Sequence, residues 1–197
     1  MSGLRALGES HAALLLHEWI GQQGLPSPTA AQTAAIWQDV VCAAEDACPL
    51  VRWEGGEVRR YRDGLFARAP LPEHDASRVF SWDLRGAVEI PGLGILSAAE
   101  ADGEGLDAAR LAGQTLRVGF RRGGESLRPK GRRETHTLKH LLQEAGVPPW
   151  QRERIPLLWR GDELLAVVGY WLNDEFCAKA GMPGMTPVLR ENPPGNR

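Results

Sequence analysis

Several features that mark common protein classes are missing from this 197-residue chain. No apolar run approaches the ~20 residues of a membrane-spanning helix, and Leu14–Leu16 is too short for the hydrophobic region of a signal peptide. The cysteines Cys42, Cys48 and Cys177 form no CxxC pair. We therefore expect a cytoplasmic protein in a reducing compartment, without a membrane partner. Cys42 and Cys48 are expected to be small buried hydrophobic residues, with a metal-binding pair as the second reading.

Signatures of catalysis are also scarce. The sequence has no Gly-x-Ser-x-Gly elbow, no HExxH or HxxEH pattern and no conspicuous acidic pair. Arg122–Ser126 reads Arg-Gly-Gly-Glu-Ser and superficially resembles the Ser-Gly-Gly-x-Asp-Ser loop of ATP pyrophosphatases. Such a loop needs a helix directly after it, which Pro129 and Gly131 exclude. We therefore predict no catalytic residue, no cofactor-binding residue and no metal ligand in this chain. A small metal hydrolase using His136 and His140 is the weakest alternative.

Charge is distributed unevenly along the chain. The formal net charge is −2, but residues 116–160 hold eleven Lys and Arg against four Asp and Glu, which gives +7 there and −9 for the remainder. A local field of one sign matters more to a charged partner than the total does. Residues 116–160 are thus a candidate surface for a polyanion.

Basic residues alternate with glycine in this region, around two predicted turns. Arginine forks match phosphate oxygens, and glycine lets the backbone come close to them. A solvated strand edge, protected by Lys and Arg, is the alternative interpretation. The residues predicted to bind RNA are Arg121, Arg122, Arg128, Lys130, Arg132, Arg133, His136, Lys139, Arg152 and Arg154.

Hydrophobic periodicity predicts two helices followed by a strand meander. The stripe Ala12, Leu15, Leu16, Trp19 and Ile20 predicts a helix from a Ser10 cap to about Gln23. A second helix is predicted to start at Ser27-Pro28 and to stop at Ala47–Pro49. Short strands are predicted within 50–66, 79–84 and 87–90.

The second half of the chain is also predicted to contain both strands and a helix, in shorter elements. A strand is predicted at Leu116–Arg121, a helix at Thr137–Glu144, and two further strands at Ile155–Trp159 and Glu163–Trp171. We therefore predict an α+β protein, with a helical first domain carrying a small strand meander and then a small α/β domain. The predicted bounds are 1–112, including an acidic connector at 95–109, then 113–177, and a loose tail at 178–197.

From Leu116 onward the sequence resembles a known family. Leu116-Arg-Val-Gly-Phe-Arg-Arg-Gly-Gly-Glu-Ser126 is followed by Arg128-Pro-Lys-Gly-Arg132, Leu138-Lys-His-Leu-Leu-Gln143, Val147-Pro-Pro-Trp-Gln-Arg152 and Ile155-Pro-Leu-Leu158. This ordered set strongly resembles the C-terminal domain of tRNA(Ile)-lysidine synthetase, the TilS/MesJ family. The upstream segments, which resemble the family's central substrate-binding domain, are Pro26-Ser27 leading to Trp37, Ala47-Cys-Pro49 and Glu57-Val-Arg-Arg-Tyr61.

The resemblance implies a function that composition does not. Members of the family use ATP, with magnesium, and free L-lysine to convert the wobble cytidine of isoleucine tRNA with a CAU anticodon to lysidine. Their C-terminal domain grips the acceptor stem, the central domain helps to hold the tRNA, and the complete enzyme can be a homodimer. The basic residues of the matching motifs would then contact tRNA.

One family feature is missing, because the catalytic Ser-Gly-Gly-x-Asp-Ser loop has no counterpart in these 197 residues. We therefore expect a truncated or separately encoded C-terminal half, which binds tRNA and is inactive by itself. The alternative is a stand-alone RNA-binding or protein-interaction module without catalysis.

Overall fold

The computed structural model describes residues 1–44 and 47–191, and the chain divides into two compact units, Met1–Leu71 and Pro72–Arg197. This division differs from the predicted boundary near Gly113. Residues 72–112 belong to the second unit because their strands pair with strands that follow them: Phe80–Trp82 pairs with Leu116–Gly119. Helix and strand make up 26% and 33% of the structure, which confirms the α+β class.

The first unit consists of short helices followed by a three-stranded meander, as the periodicity predicts. Its helices are α1 Ser2–Ala6, α2 Gly8–Gln22 and α3 Ala30–Ala35, which continues as a π-helix at Ile36–Val41. Its strands pair antiparallel in chain order and are β1 Leu50–Trp53, β2 Gly56–Tyr61 and β3 Gly64–Arg68.

Both predicted helix caps in this unit are wrong. Helix α2 begins at Gly8, after an N-cap residue without a side-chain cap, rather than at Ser10. Helix α3 is capped by Thr29, whose side chain accepts from the Gln32 N–H while the Gln32 side chain accepts from the Thr29 N–H. This reciprocal capping box satisfies two otherwise unpaired donors, so it outcompetes Ser27.

The core of this unit joins one face of α2 to the π-helix and the meander. Three of the five stripe residues of α2, Ala12, Leu16 and Ile20, are buried, whereas Leu15 is exposed. The expected burial of the cysteines is wrong, because Cys42 and Cys48 are both exposed. The helical segment ends at Val41 and β1 begins at Leu50, so both cysteines lie between these two elements and not on the helix.

The described part of the second unit, residues 72–191, contains the remaining strands and three short helices. The helices are α4 Ala108–Leu111, α5 Leu138–Glu144 and α6 Pro149–Arg152, and a 3₁₀ turn spans Asp174–Phe176. The strands are β4 Phe80–Trp82, β5 Val88–Ile90, β6 Gly94–Asp102, β7 Leu106–Asp107, β8 Leu116–Gly119, β9 Ser126–Leu127, β10 His136–Thr137, β11 Leu157–Arg160, β12 Glu163–Val167, β13 Trp171–Leu172 and β14 Pro183–Glu191.

Two antiparallel sheets pack against each other in this unit. One has the order β13-β12-β11-β8-β4 and the other β5-β6-β14-β7, while β9 and β10 form a separate ribbon. Apolar residues of both sheets, among them Trp82, Leu96 and Leu158, form one buried cluster. On the opposite face of the five-stranded sheet, Leu138, Leu141 and Leu142 of α5 pack in a second cluster with Leu157 and other strand residues. The predicted inward face of this helix is confirmed.

Two predicted irregular segments are strands. The supposed connector at 95–109 falls in β6, β7 and the start of α4, and nine of the twenty residues of the supposed tail form β14, which pairs with β6 over nine residues. Residues 192–197 of that tail lie outside the described residues. Gly184 explains part of the misreading, because a Cβ there would lie 1.6 Å from the Glu104 carbonyl oxygen. This glycine serves close packing, not a loose tail.

In the part of the chain that the structure describes, every helix is too short or too polar to cross a membrane.

Candidate nucleic-acid interface

Residues 121–135, which we call the basic loop, lie between β8 and the β10–α5 segment. Leu127 anchors the loop, because it is buried in the same cluster as Leu138 and pairs with His136 in the β9–β10 ribbon. The N–H of Leu138 also donates to the Glu125 carbonyl, at 2.8 Å. The loop therefore leaves and re-enters the fold at fixed points, although much of its length is exposed.

A buried carboxylate organises the first turn of the loop. Glu125 is 8% exposed, and its Oε1 accepts from the backbone N–H groups of Arg122 and of Gly123, the latter at 2.8 Å. Its Oε2 lies 3.8 Å from Nε of Arg121. The turn therefore directs its amides at its own carboxylate, and a phosphate cannot use them without displacing Glu125. The side chain of Arg122 remains exposed.

The middle of the loop is joined to the segment around the 3₁₀ turn. Lys130 N–H donates to the Leu172 carbonyl at 2.9 Å, and Asp174 N–H donates to the Arg128 carbonyl at 2.8 Å. The Asp174 carboxylate accepts from the Gly131 N–H at 3.3 Å and lies 3.3 Å from Nη2 of Arg128. These contacts fix the backbone of the loop and leave the Lys130 side chain exposed.

The end of the loop is tied to the end of α5. Arg132 donates from both terminal nitrogens to the two oxygens of Glu144, at 2.9 and 2.8 Å. The hydrogen bonds from Arg132 hold the pKa of Glu144 below its ordinary value, and those to Glu144 raise the pKa of Arg132. Arg133, the next residue, is exposed.

Helix α5 continues the polar surface beyond the loop. Lys139 is exposed, and the rings of His136 and His140 stack with their centroids 6.0 Å apart. Nε2 of His140 lies 4.0 Å from the Glu144 carboxylate. Among residues 1–44 and 47–191 no group of three or more His, Cys, Asp or Glu side chains is placed to hold a metal ion.

Two of the ten predicted residues lie in a different setting. Arg152 donates from Nε to the Val147 carbonyl at 2.7 Å. Arg154 donates from Nη1 to the Pro72 carbonyl at 2.9 Å and from Nη2 to that of Gly92. Both guanidinium groups therefore hold backbone segments of the second unit. The structure brings the other eight residues together on the basic loop and the β10–α5 segment.

Sequence reasoning missed the two acidic partners of this surface. Each of them forms an ion pair with an arginine that was predicted to bind phosphate: Asp174 pairs with Arg128, and Glu144 pairs with Arg132. The signal in the sequence is weak, because Glu144 is one of four acids within residues 116–160 and Asp174 lies fourteen residues beyond them. Which arginine it meets depends on the tertiary structure, since 46 residues separate Arg128 from Asp174.

Both units match models of one protein family. Residues 1–66 match the model described as "TilS substrate binding domain", and residues 116–189 match "TilS substrate C-terminal domain". A tRNA(Ile)-lysidine synthase from Coxiella burnetii is 41% identical over 166 residues, covering 84% of this chain and 37% of the relative. A tRNA(Ile)-lysidine synthase from Methylococcus capsulatus is 40% identical over 177 residues, covering 89% and 40%.

A solved structure titled "Crystal structure of TILS C-terminal domain" aligns with a TM-score of 0.46 and 21% identity, covering 59% of this chain and 99% of that chain. The chain spans about two fifths of the length of the Coxiella and Methylococcus relatives. The two family models match successive parts of the chain, and the two relatives extend over more than four fifths of it. The chain therefore belongs to the tRNA(Ile)-lysidine synthase (TilS) family, of which it carries the substrate binding domain and the substrate C-terminal domain.

Proposed function

We propose that this chain is the tRNA-binding portion of an ATP-dependent ligase that makes lysidine. In that reaction the wobble cytidine of isoleucine tRNA with a CAU anticodon is joined to L-lysine. The proposal draws its reaction from the family to which the chain belongs. ATP, with magnesium, would bind in another domain of the complete enzyme, and the chain by itself would bind tRNA without modifying it.

One observation carries the binding part of the proposal. The basic loop presents the exposed side chains of Arg122, Lys130 and Arg133 from a backbone that Glu125 and Asp174 hold in place. A fixed backbone lowers the entropy lost on binding. Cations held in this way suit a regular array of phosphates, and phosphate contacts supply most of the affinity of such a surface.

The finer assignment is to the acceptor stem. An RNA duplex offers its phosphates and 2′-hydroxyls rather than its base edges, since its major groove is too narrow for side chains. Arginine and lysine on a rigid loop match that chemistry. We propose that the second unit holds the acceptor stem, and that the complete enzyme can act as a homodimer.

The test is a binding titration with a transcript of isoleucine tRNA carrying the CAU anticodon. The triple variant R122A/K130A/R133A removes three exposed charges. We expect it to bind more weakly and to reduce the log–log salt slope by about 2 to 3, because each lost phosphate contact is worth ~0.7–0.9.

The matched control is R85A/K179A/R190A, which removes three exposed cations of the same unit outside the basic loop. It should change the slope far less. A slope that falls equally in both triple variants would contradict the site, and a wild-type chain that does not bind the transcript would contradict the function. Competition by an acceptor-stem minihelix, but not by an anticodon stem-loop, would support the assignment to the acceptor stem.

A further inference from the structure

Besides Arg121, which lies beside the buried Glu125, two arginines of the basic loop are paired with partly exposed carboxylates. Arg132 forms a two-pronged pair with Glu144, at 2.9 and 2.8 Å, and Arg128 lies 3.3 Å from Asp174. The side chains of these pairs are 37% to 47% exposed. A carboxylate and a phosphate present similar pairs of oxygens to a guanidinium fork. Each acid therefore stands where a phosphate of a bound RNA could stand.

Glu144 gains little from its own helix. It is the last residue of α5, and the last turn contains no basic residue. The partial negative charge at a helix C-terminus disfavours a carboxylate there. Its two oxygens instead meet Arg132, twelve residues earlier in the chain. The placement of Glu144 is thus explained by the arginine, not by helix stability.

The ion pair is strong enough to keep Glu144 on the Arg132 guanidinium in the free protein, and weak enough for a phosphate to replace Glu144 there. An exposed ion pair contributes at most a factor of about five to an equilibrium. A phosphate in the correct position can therefore displace Glu144 from Arg132. A polyanion without a phosphate at that point leaves the pair intact and also meets the negative charge of Glu144.

The two acids differ in their other contacts. Asp174 also accepts from the Gly131 N–H, and its own N–H donates to the Arg128 carbonyl, so it has a part in loop structure. The Glu144 carboxylate contacts the Arg132 and His140 side chains. A substitution of Glu144 therefore tests the ion pair with less effect on the loop backbone than a substitution of Asp174.

We propose that Glu144, assisted by Asp174, is a specificity-determining residue of the tRNA surface. It occupies the Arg132 fork until a correctly placed phosphate replaces it, and so it weakens binding of RNAs that do not fit. This inference rests on the proposed function, because it presumes that the basic loop binds tRNA.

The test compares E144Q with the wild-type chain on two probes, the isoleucine tRNA transcript and poly(U). Glutamine has the same shape and cannot hold the fork as an ion pair. In E144Q, Arg132 becomes available to any phosphate, so poly(U) should bind about three- to fivefold more tightly. Its salt slope should steepen by ~0.7, the value for one further contact to a single strand. The slope for the tRNA should stay unchanged, since Arg132 contacts a phosphate there in both proteins.

Two controls separate this role from a general loss of negative charge. Glu163 forms a similar exposed pair with Arg160 on the β11–β12 hairpin, so E163Q should leave poly(U) binding unchanged. In the R132Q background, E144Q should tighten poly(U) binding much less than it does when Arg132 is present, because only the repulsion by the Glu144 charge is then removed. D174N, which keeps an oxygen for the Gly131 N–H, should loosen discrimination in the same direction.

The outcomes distinguish the two proposals. Unchanged poly(U) binding in E144Q, or an equal effect of E144Q with and without Arg132, would overturn the role of Glu144 even if R132Q weakens tRNA binding. If the wild-type chain fails to bind the tRNA transcript, the proposed function itself fails. Thermal unfolding of each variant confirms that the fold is retained.

Discussion

The carboxylate of Glu125 accepts a 2.8 Å hydrogen bond from the backbone N–H of Gly123, inside the turn that begins the basic loop. Gly123 and Gly124 have φ values of 100° and 86°, a region that glycine enters without strain. The turn therefore depends on its glycines for shape and on Glu125 for its hydrogen bonds.

Replacement of Glu125 by Ala should destabilise the second unit. The change leaves two backbone amides without their carboxylate partner, and hydrogen bonds to a charged group contribute about 1.5–3 kcal/mol. We expect the free energy of unfolding in urea to fall by about 2–3 kcal/mol. Glu134→Ala, an exposed position in the same loop, should stay within ~0.5 kcal/mol of the wild type. Equal stabilities of the two variants would contradict the role of Glu125.

Stability should fall in mild acid through His74. The ring of His74 contacts Phe120 edge-on, with centroids 4.2 Å apart, and burial followed by the nearby Arg154 lowers the pKa of His74 below 6.5. A lowered histidine pKa means that the fold favours the neutral ring. The stabilisation of the fold by the neutral His74 ring is therefore complete above about pH 6.5. This stabilisation is lost as the pH falls through the lowered pKa.

We expect the decrease in Tm between pH 7.5 and pH 5 to be smaller in His74→Gln than in the wild type. All other residues are the same in both proteins, so the difference between the two decreases isolates His74. An identical decrease in both proteins would show that His74 does not couple protonation to stability.

Arg154 should act on stability and not on RNA affinity. Its guanidinium donates to the Pro72 and Gly92 carbonyls. Arg154→Ala should therefore lower the free energy of unfolding by about 1–3 kcal/mol and leave the salt slope for tRNA unchanged. Arg133→Ala should do the reverse, with little change in stability and a slope smaller by ~0.7–0.9. A reduced slope in the Arg154 variant would restore this residue to the binding surface.

Gly184→Ala should disrupt the pairing of β14 with β6. A Cβ at this position meets the Glu104 carbonyl oxygen at 1.6 Å, whereas one at Gly86 meets nothing within 4 Å. Overpacking of this kind costs about 1–3 kcal/mol, and more where the backbone must move. Gly86→Ala is the control and should leave Tm nearly unchanged. A Gly184 variant as stable as the wild type would argue against the strand at Pro183–Glu191.

The sequence predicted those elements in which neighbouring residues decide the structure. The spacing of Leu138, Leu141 and Leu142 identified the buried face of α5, because residues three and four apart share one side of a helix. The meander of the first unit followed from strand residues interrupted by glycine turns. Both helix caps failed by a few residues, because Thr29 rather than Ser27 caps α3 and α2 begins without a side-chain cap.

The sequence predicted which region of the chain contains the candidate site, but not how the side chains of that site are arranged. Arg133 and Arg154 are indistinguishable in a count of charges, yet one is exposed and the other holds two carbonyls. Likewise, nothing adjacent to Arg132 in the chain indicates that Glu144 will meet it. The partner of a long side chain is chosen by whatever the fold brings near, and that choice has no local pattern.

The order of motifs and the charge of residues 116–160 by themselves determined the family and the basic character of the second unit. The tertiary structure alone decided that residues 72–112 belong to that unit, that residues 183–191 close its second sheet, and which arginines are held by Glu144 and Asp174. The physical reason is one of range. Helix faces and hairpins are set by residues a few positions apart, whereas the pairing of β6 with β14 joins segments about eighty residues apart in the chain.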